Sequence, residues 1–125
     1  MDIKTFWGSK NWGMFLVRIV VGAVFVIHGW DKIENIEGVI GFFGSLGLPS
    51  IFAYLVGWIE FLGGLAVLLG LFYKYAVYLL AVVMVGAIYL VKFKMGFLGG
   101  YEFDLLLLVS ALSIAWTKDM PYKVL

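Results

Sequence analysis

A chain of 125 residues that is 64% hydrophobic and 14% charged, with a net charge of +1, cannot hide its apolar surface in a water-soluble fold, since soluble domains carry about a quarter charged residues. No basic run or basic patch interleaved with aromatics is present, which argues against nucleic acid as a partner. The absence of cysteine excludes internal disulfide, thiolate-nucleophile and thiolate–metal chemistry, and one histidine without ligand spacing gives no metal-binding pattern.

A helix needs about 20 mainly apolar residues to cross a bilayer. Four segments meet this, at about residues 12–30, 50–70, 73–91 and 101–117. The runs are continuous rather than alternating, so they read as helices and not as barrel strands. The first, "WGMFLVRIVVGAVFVIHGW", is longer than the apolar core of a signal peptide and no A-x-A-like site follows it, so it reads as a retained span. In the stretch after it, Ile33, Ile36, Ile40 and Phe43 recur at helical spacing with Asp31, Lys32, Glu34 and Glu37 largely elsewhere. A short amphipathic helix in the membrane interface is predicted over residues 33–46. Pro49 after Gly47 stops it and opens the second span. "LFYKY" is a tight link, so spans two and three are antiparallel neighbours. The link "KFKMGFLGG" before span four is longer and glycine-rich. The fold class is therefore an all-α membrane protein: one domain over 1–125, a four-transmembrane-helix bundle with a short interfacial helix between spans one and two. Lysines near the span ends favour both termini in the cytoplasm, with Lys4, Lys10, Lys74, Lys118 and Lys123 inside and Lys32, Lys92 and Lys94 outside.

Ionisable residues within spans are costly and point to function. Here they are Arg18, His28, Glu60, Glu102 and Asp104. Arg18 shares a helical face with Gly22, Phe25 and Gly29; Glu60 shares one with Ala53, Gly57 and Gly64. Small residues let helix backbones approach closely, so these faces are expected to meet and to pair Arg18 with Glu60. Arg18 lies about 9 Å from the start of its span and Glu60 about 15 Å from either end of its own, an offset of about 6 Å. Two further solutions stay open: a pair that is only glue between helices, and a Glu60 that is protonated and unpaired. At the outer end His28, Lys32, Glu102 and Asp104 can gather. Glu102 and Asp104 also sit where acidic residues complement a helix dipole, and lie about 200° apart, so at most one of them faces a cavity squarely. Span three has no Asp, Glu, Arg or His, so a polar-lined cavity is expected between spans one, two and four. Lys32 and Glu102 would stand at its mouth, and Phe25, Phe42 and Trp58 would cover an apolar ligand.

The ordered segments "RIVVGAVFVIHGWDKI", "FFGSLGLP", "VGWIEFLGGLAVLLG" and "GGYEFDLLLL", covering about residues 15–110, resemble the DoxX family of small four-helix membrane proteins. Arg18, Lys32, Glu60 and Glu102 match motif positions; the ending "WTKDMPYKVL" departs from the Ser-x-Asp tail of many members. The resemblance implies a bundle in the plasma membrane and membrane redox work, because founding members are subunits of an archaeal thiosulfate:quinone oxidoreductase. Other relatives act as membrane chaperones. The reading is a membrane subunit with a pocket inside the bundle for a quinone or another small lipophilic ligand, its candidate residues being Arg18, His28, Lys32, Glu60, Glu102, Phe25 and Trp58. Its expected partners are the lipid bilayer, another membrane or redox subunit, or further copies of itself. The alternative is a non-enzymatic assembly factor or chaperone that binds other spans through small-residue faces; a small transporter ranks last.

Overall fold

Helix α1 (Trp12–Glu34) begins at Asn11, whose side chain accepts a hydrogen bond from the Met14 amide at 3.0 Å and so satisfies one of the free first-turn donors. It opens the computed structural model of the protein, which describes residues 10–125. Next come α2 (Ile36–Ser45), α3 (Ser50–Leu69), α4 (Tyr73–Ala87) and α5 (Glu102–Ala115). α4 continues through a π-helical turn over Ile88–Lys92 and a 3-10 turn over Phe93–Met95. No strand occurs among the described residues. Among the described residues four stretches are long and apolar enough to cross a membrane: Trp12–Glu34, Ser50–Leu69, Tyr73–Met95 and Phe97–Ala115, the last with a kink at Leu98–Gly100 before α5. Large apolar side chains such as Leu16, Ile27, Tyr75 and Val82 stand exposed on their outer faces, the inverse of a soluble fold and the arrangement lipid requires.

The first span runs four residues further than hydropathy predicts. Hydropathy ends at Asp31, but the backbone ladder has no reason to break there; the break comes at Asn35, whose side chain caps back onto Asp31. The extra turn holds Lys32 on the same rigid helix as His28. α2 is the short helix predicted between the first two spans, and it buries no residue within the molecule.

α1 and α3 form the tightest pair. A Cβ at Gly22 would press on the Leu68 backbone at 2.9 Å, one at Gly64 on the Val26 backbone at 2.7 Å, and one at Gly29 would collide with the Phe61 backbone. The facing positions 22 and 68, 26 and 64, and 29 and 61 each sum to 90, which fixes an antiparallel register. In that register Glu60 stands opposite residue 30, twelve residues from Arg18 and thus roughly 18 Å away along the helix. The expected Arg18–Glu60 pair therefore does not form. Estimating depth from the hydropathic ends misplaced the register by two to three turns.

Arg18 is instead 1% exposed at the opposite end of the bundle. Its guanidinium donates to the carbonyl oxygens of Pro121 at 3.1 Å, Tyr122 at 3.0 Å and Leu68 at 3.5 Å, and packs over the rings of Phe15 and Tyr73. These acceptors belong mainly to the C-terminal segment, which folds back across the bundle. Asn11 donates to the Asp119 carbonyl, and Val124 and Leu125 donate to that of Gly70. Gly70 ends α3 in the left-handed region at φ 73°, where a side chain would be strained. Met120 seals the core beneath, with Phe25, Val67, Leu80 and Ile114. Arg18 is thus a structural clasp whose two terminal guanidinium nitrogens, though not its buried Nε, donate to backbone carbonyls.

Arg18→Met keeps the bulk and removes the donors. A hydrogen bond from a charged donor contributes about 1.5–3 kcal/mol, so amide exchange at Val124 and Leu125 should speed up by roughly tenfold or more while the spans stay protected. Unchanged exchange there would show that the segment is held by something else.

Candidate functional site

A cavity of about 650 Å³ occupies the end of the bundle remote from Arg18. Its walls come from the last two turns of α1, from α2, from the first half of α3, from the second half of α4 with its π turn, and from the start of α5. α2 packs on α3 and the end of α1 and faces α4 across the space, as a partial roof. The π turn adds a residue to the helical repeat, a distortion often found beside functional sites. It lies where Leu90, Val91 and Lys92 line the wall.

Most of the lining is hydrocarbon or aromatic, including Phe25, Phe42, Phe43, Val83 and Phe103. The polar exceptions are His28, Lys32, Asn35, Glu60, Lys92 and Asp104. Glu60 is 3% exposed. Its Oε2 accepts a hydrogen bond from Lys32 Nζ at 2.9 Å, an ion pair in which the lysine side chain keeps 26% exposure. Gly57 lies one turn before Glu60, and a Cβ there would stand 3.5 Å from Lys32 Cβ. That is an ordinary van der Waals distance, so the lysine stem lies directly against α3 on its way to the carboxylate. His28 and Asp104 are both near enough to Glu60 to act on it electrostatically. The His28 ring sits 5.9 Å from that of Phe103. Among the described residues no three His, Asp or Glu side chains converge closely enough to hold a metal ion; the polar groups come from all four spans.

Of the residues singled out in the sequence, the structure brings Phe25, His28, Lys32 and Glu60 to this cavity. It does not bring Arg18, which is buried at the other end. Nor does it bring Glu102, whose Oε1 accepts from the Gly99 amide at 2.9 Å and so closes the turn before α5. Trp58 is 45% exposed on the outside of α3, edge-on to Phe61, which in turn packs against Trp30. An α3 residue two positions from Glu60 points away from it, because successive helical residues turn by about 100°.

The cavity has a wall that was not expected, and of the two carboxylates in the first turn of α5 it takes one. α4 carries no Asp, Glu, Arg or His, yet it forms one whole wall, because a cavity in lipid can be built mostly from hydrocarbon. Asp104, 8% exposed, faces the cavity where Glu102 does not. The available signal was the spacing of Asp104 with Leu107, Ala111 and Ile114, the buried stripe of α5.

Removing Lys32 alone leaves the Glu60 carboxylate buried without its partner. Lys32→Met should cost about 3 kcal/mol, the low end of the range for a broken buried pair because the lysine retains some exposure. Lys32→Met combined with Glu60→Gln should recover most of that loss. Unfolding of all four forms in one detergent measures the coupling; strictly additive losses would contradict a functional ion pair between them.

Comparison with known proteins agrees with this architecture. The DoxX family model matches residues 13–93. The chain is 44% identical over 105 residues to a Bacillus subtilis (strain 168) protein named "Putative oxidoreductase CatD", covering 84% of this chain and 78% of that one. It is 36% identical over 58 residues to the "Inner membrane protein YqjF" of Escherichia coli (strain K12), covering 46% of this chain and 45% of that one. No solved structure matches. With four membrane-crossing helices, the family's motif residues and a match spanning most of its length, the chain belongs to the DoxX family.

Proposed function

We propose that the protein is a membrane subunit of redox metabolism that holds a quinone, or a closely similar small lipophilic ring compound, in the cavity beside Glu60. The observation that carries this reading is the form of the cavity: about 650 Å³, mostly apolar, with a few polar groups in its lining. Ligand sites generally have this size and this make-up. The fit to a quinone is chemical. Lys32 and His28 offer donors for a ring oxygen, Phe25, Phe42 and Phe103 offer flat apolar contact, and the slot between α2 and α4 can take a tail. A bound quinone would supply a two-electron, two-proton carrier; the chain's own residues orient its head and exclude water. The name of the Bacillus relative points toward the same chemistry. Without cysteine, electrons must reach such a site from a partner subunit or from a donor that binds with the ring.

The assembly-factor reading has less in its favour. It needs free small-residue faces, and Gly22, Gly29 and Gly64 are already used between α1 and α3.

Gly86 lines the cavity, and a Cβ there would meet no atom within 4 Å. Gly86→Leu should fill the space while also favouring the helix. Mass spectrometry of organic extracts from gently purified protein should find a ring lipid retained by the wild type and reduced at least about tenfold in Gly86→Leu, with the unfolding midpoint unchanged or raised. Equal retention in both would overturn the reading.

The orientation we propose has both termini in the cytoplasm and the cavity facing the outer half of the plasma membrane, from the lysine balance. The chain lacks cysteine, so single cysteines at exposed positions 45 and 118 report sidedness cleanly. An impermeant maleimide should label position 45 in intact cells and position 118 only after lysis; the reverse pattern would invert the topology.

A further inference from the structure

Asp104 lies in the first turn of α5, lines the cavity, and is 8% exposed. Its Oδ2 is fully enclosed and has no hydrogen-bond partner. An unsatisfied buried acceptor is costly, and more so when charged. No ion pair from the cations nearby relieves it: Lys32 Nζ pairs with Glu60, Lys92 lines the cavity without pairing to Asp104, and Arg18 is at the far end of the bundle. His28 lines the cavity from α1, its ring against that of Phe103. The position also favours negative charge, since the α5 backbone directs its free N-terminal amides there. A cap would explain a carboxylate at this place, but no side chain caps α5, and the neighbouring Glu102 accepts from Gly99 in the turn before the helix. Asp104 therefore has no structural partner to justify its burial.

We infer that Asp104 is the acceptor for the head group of the cavity's ligand, so that the site favours a membrane-dissolved amphiphile carrying an O–H or N–H donor, such as the hydroquinone form of a quinone, over a form that only accepts. The inference rests on the reading of the cavity as a ligand site and adds the polarity of recognition. Lys32 and His28 supply donors in the same cavity, so a ring bearing hydroxyls, which both donate and accept, matches all three groups. The same donor can come from a phenolic ring or from the amine of a phospholipid.

The test compares two probes in nanodiscs of phosphatidylcholine, whose head group has no O–H or N–H: a decyl-substituted hydroquinone and its dimethyl ether, of nearly the same shape but without donors. Calorimetric titration of the wild type should give a Kd for the hydroquinone roughly tenfold or more below that of the ether, the scale of one hydrogen bond to a charged group. Asp104→Leu should weaken only the hydroquinone and close the gap; Asp104→Asn, which keeps an acceptor oxygen, should keep part of it. Neither variant should unfold at a lower temperature than the wild type, because the carboxylate lost is unpaired. An ethanolamine phospholipid that displaces the hydroquinone from the wild type but not from Asp104→Leu would name a lipid amine as the donor and equally support Asp104 as acceptor. Equal affinity for both probes in the wild type, or a gap that survives in Asp104→Leu, would overturn the inference and leave the cavity a ligand site. Binding of neither probe would overturn both.

Discussion

The close approach of α1 and α3 is the constraint on which the remaining structure depends. Three glycines, Gly22, Gly29 and Gly64, bring the two backbones into contact and leave no freedom to slide. Apolar surface gives no net drive for helix association inside lipid, so packing at small residues and a few polar contacts must specify the pair. Once the register is set, the charges are sorted by it. Lys32 meets Glu60 at one end, and Arg18 is left at the other, where only backbone carbonyls can satisfy it.

This sorting gives the bundle two unlike ends. The Arg18 end is closed: the C-terminal segment crosses it, Met120 fills it and Gly70 lets two chain reversals meet. The Glu60 end is open. There α2 has no buried residue of its own and stands off from α4, and the π turn and 3-10 turn distort the end of span three. The segment Phe97–Tyr101 leaves helical geometry at Leu98, Gly99 and Gly100 before α5 starts. Regular packing is thus given up on one side of the bundle only, and the space left carries the enclosed polar groups that nothing else in the fold requires.

The number of spans, the helix between the first two, and the inward faces of Arg18 and Glu60 were legible because they follow from hydropathy and from a period of about 3.6 residues. Which charge meets which was not legible. Pairing depends on register, and register here is set by backbone contacts at glycines whose consequence is a sum of positions, not a pattern along one helix. The error at Lys32 has the same root. The run of charges 31–34 reads as the end of a span, whereas the helix continues and carries the lysine to Glu60. Trp58 is aromatic and near Glu60 in sequence, but its place on the helix turns it outward, and Glu102 at the expected mouth closes the turn before α5 instead. Asp104 stood on the buried stripe of α5, but that helix is apolar nearly all round and its inward face is weakly marked in sequence.

In the proposed function a membrane-dissolved ring compound occupies the space between α2, α4 and Glu60. The most direct measurement is photolabelling with a diazirine-tailed hydroquinone in nanodiscs, followed by peptide mapping. The account predicts labels concentrated on cavity residues such as Phe42, Val83 and Leu90, and reduced by excess unlabelled hydroquinone. Labels spread evenly over lipid-facing side chains such as Leu62 and Tyr75, with no competition, would contradict it.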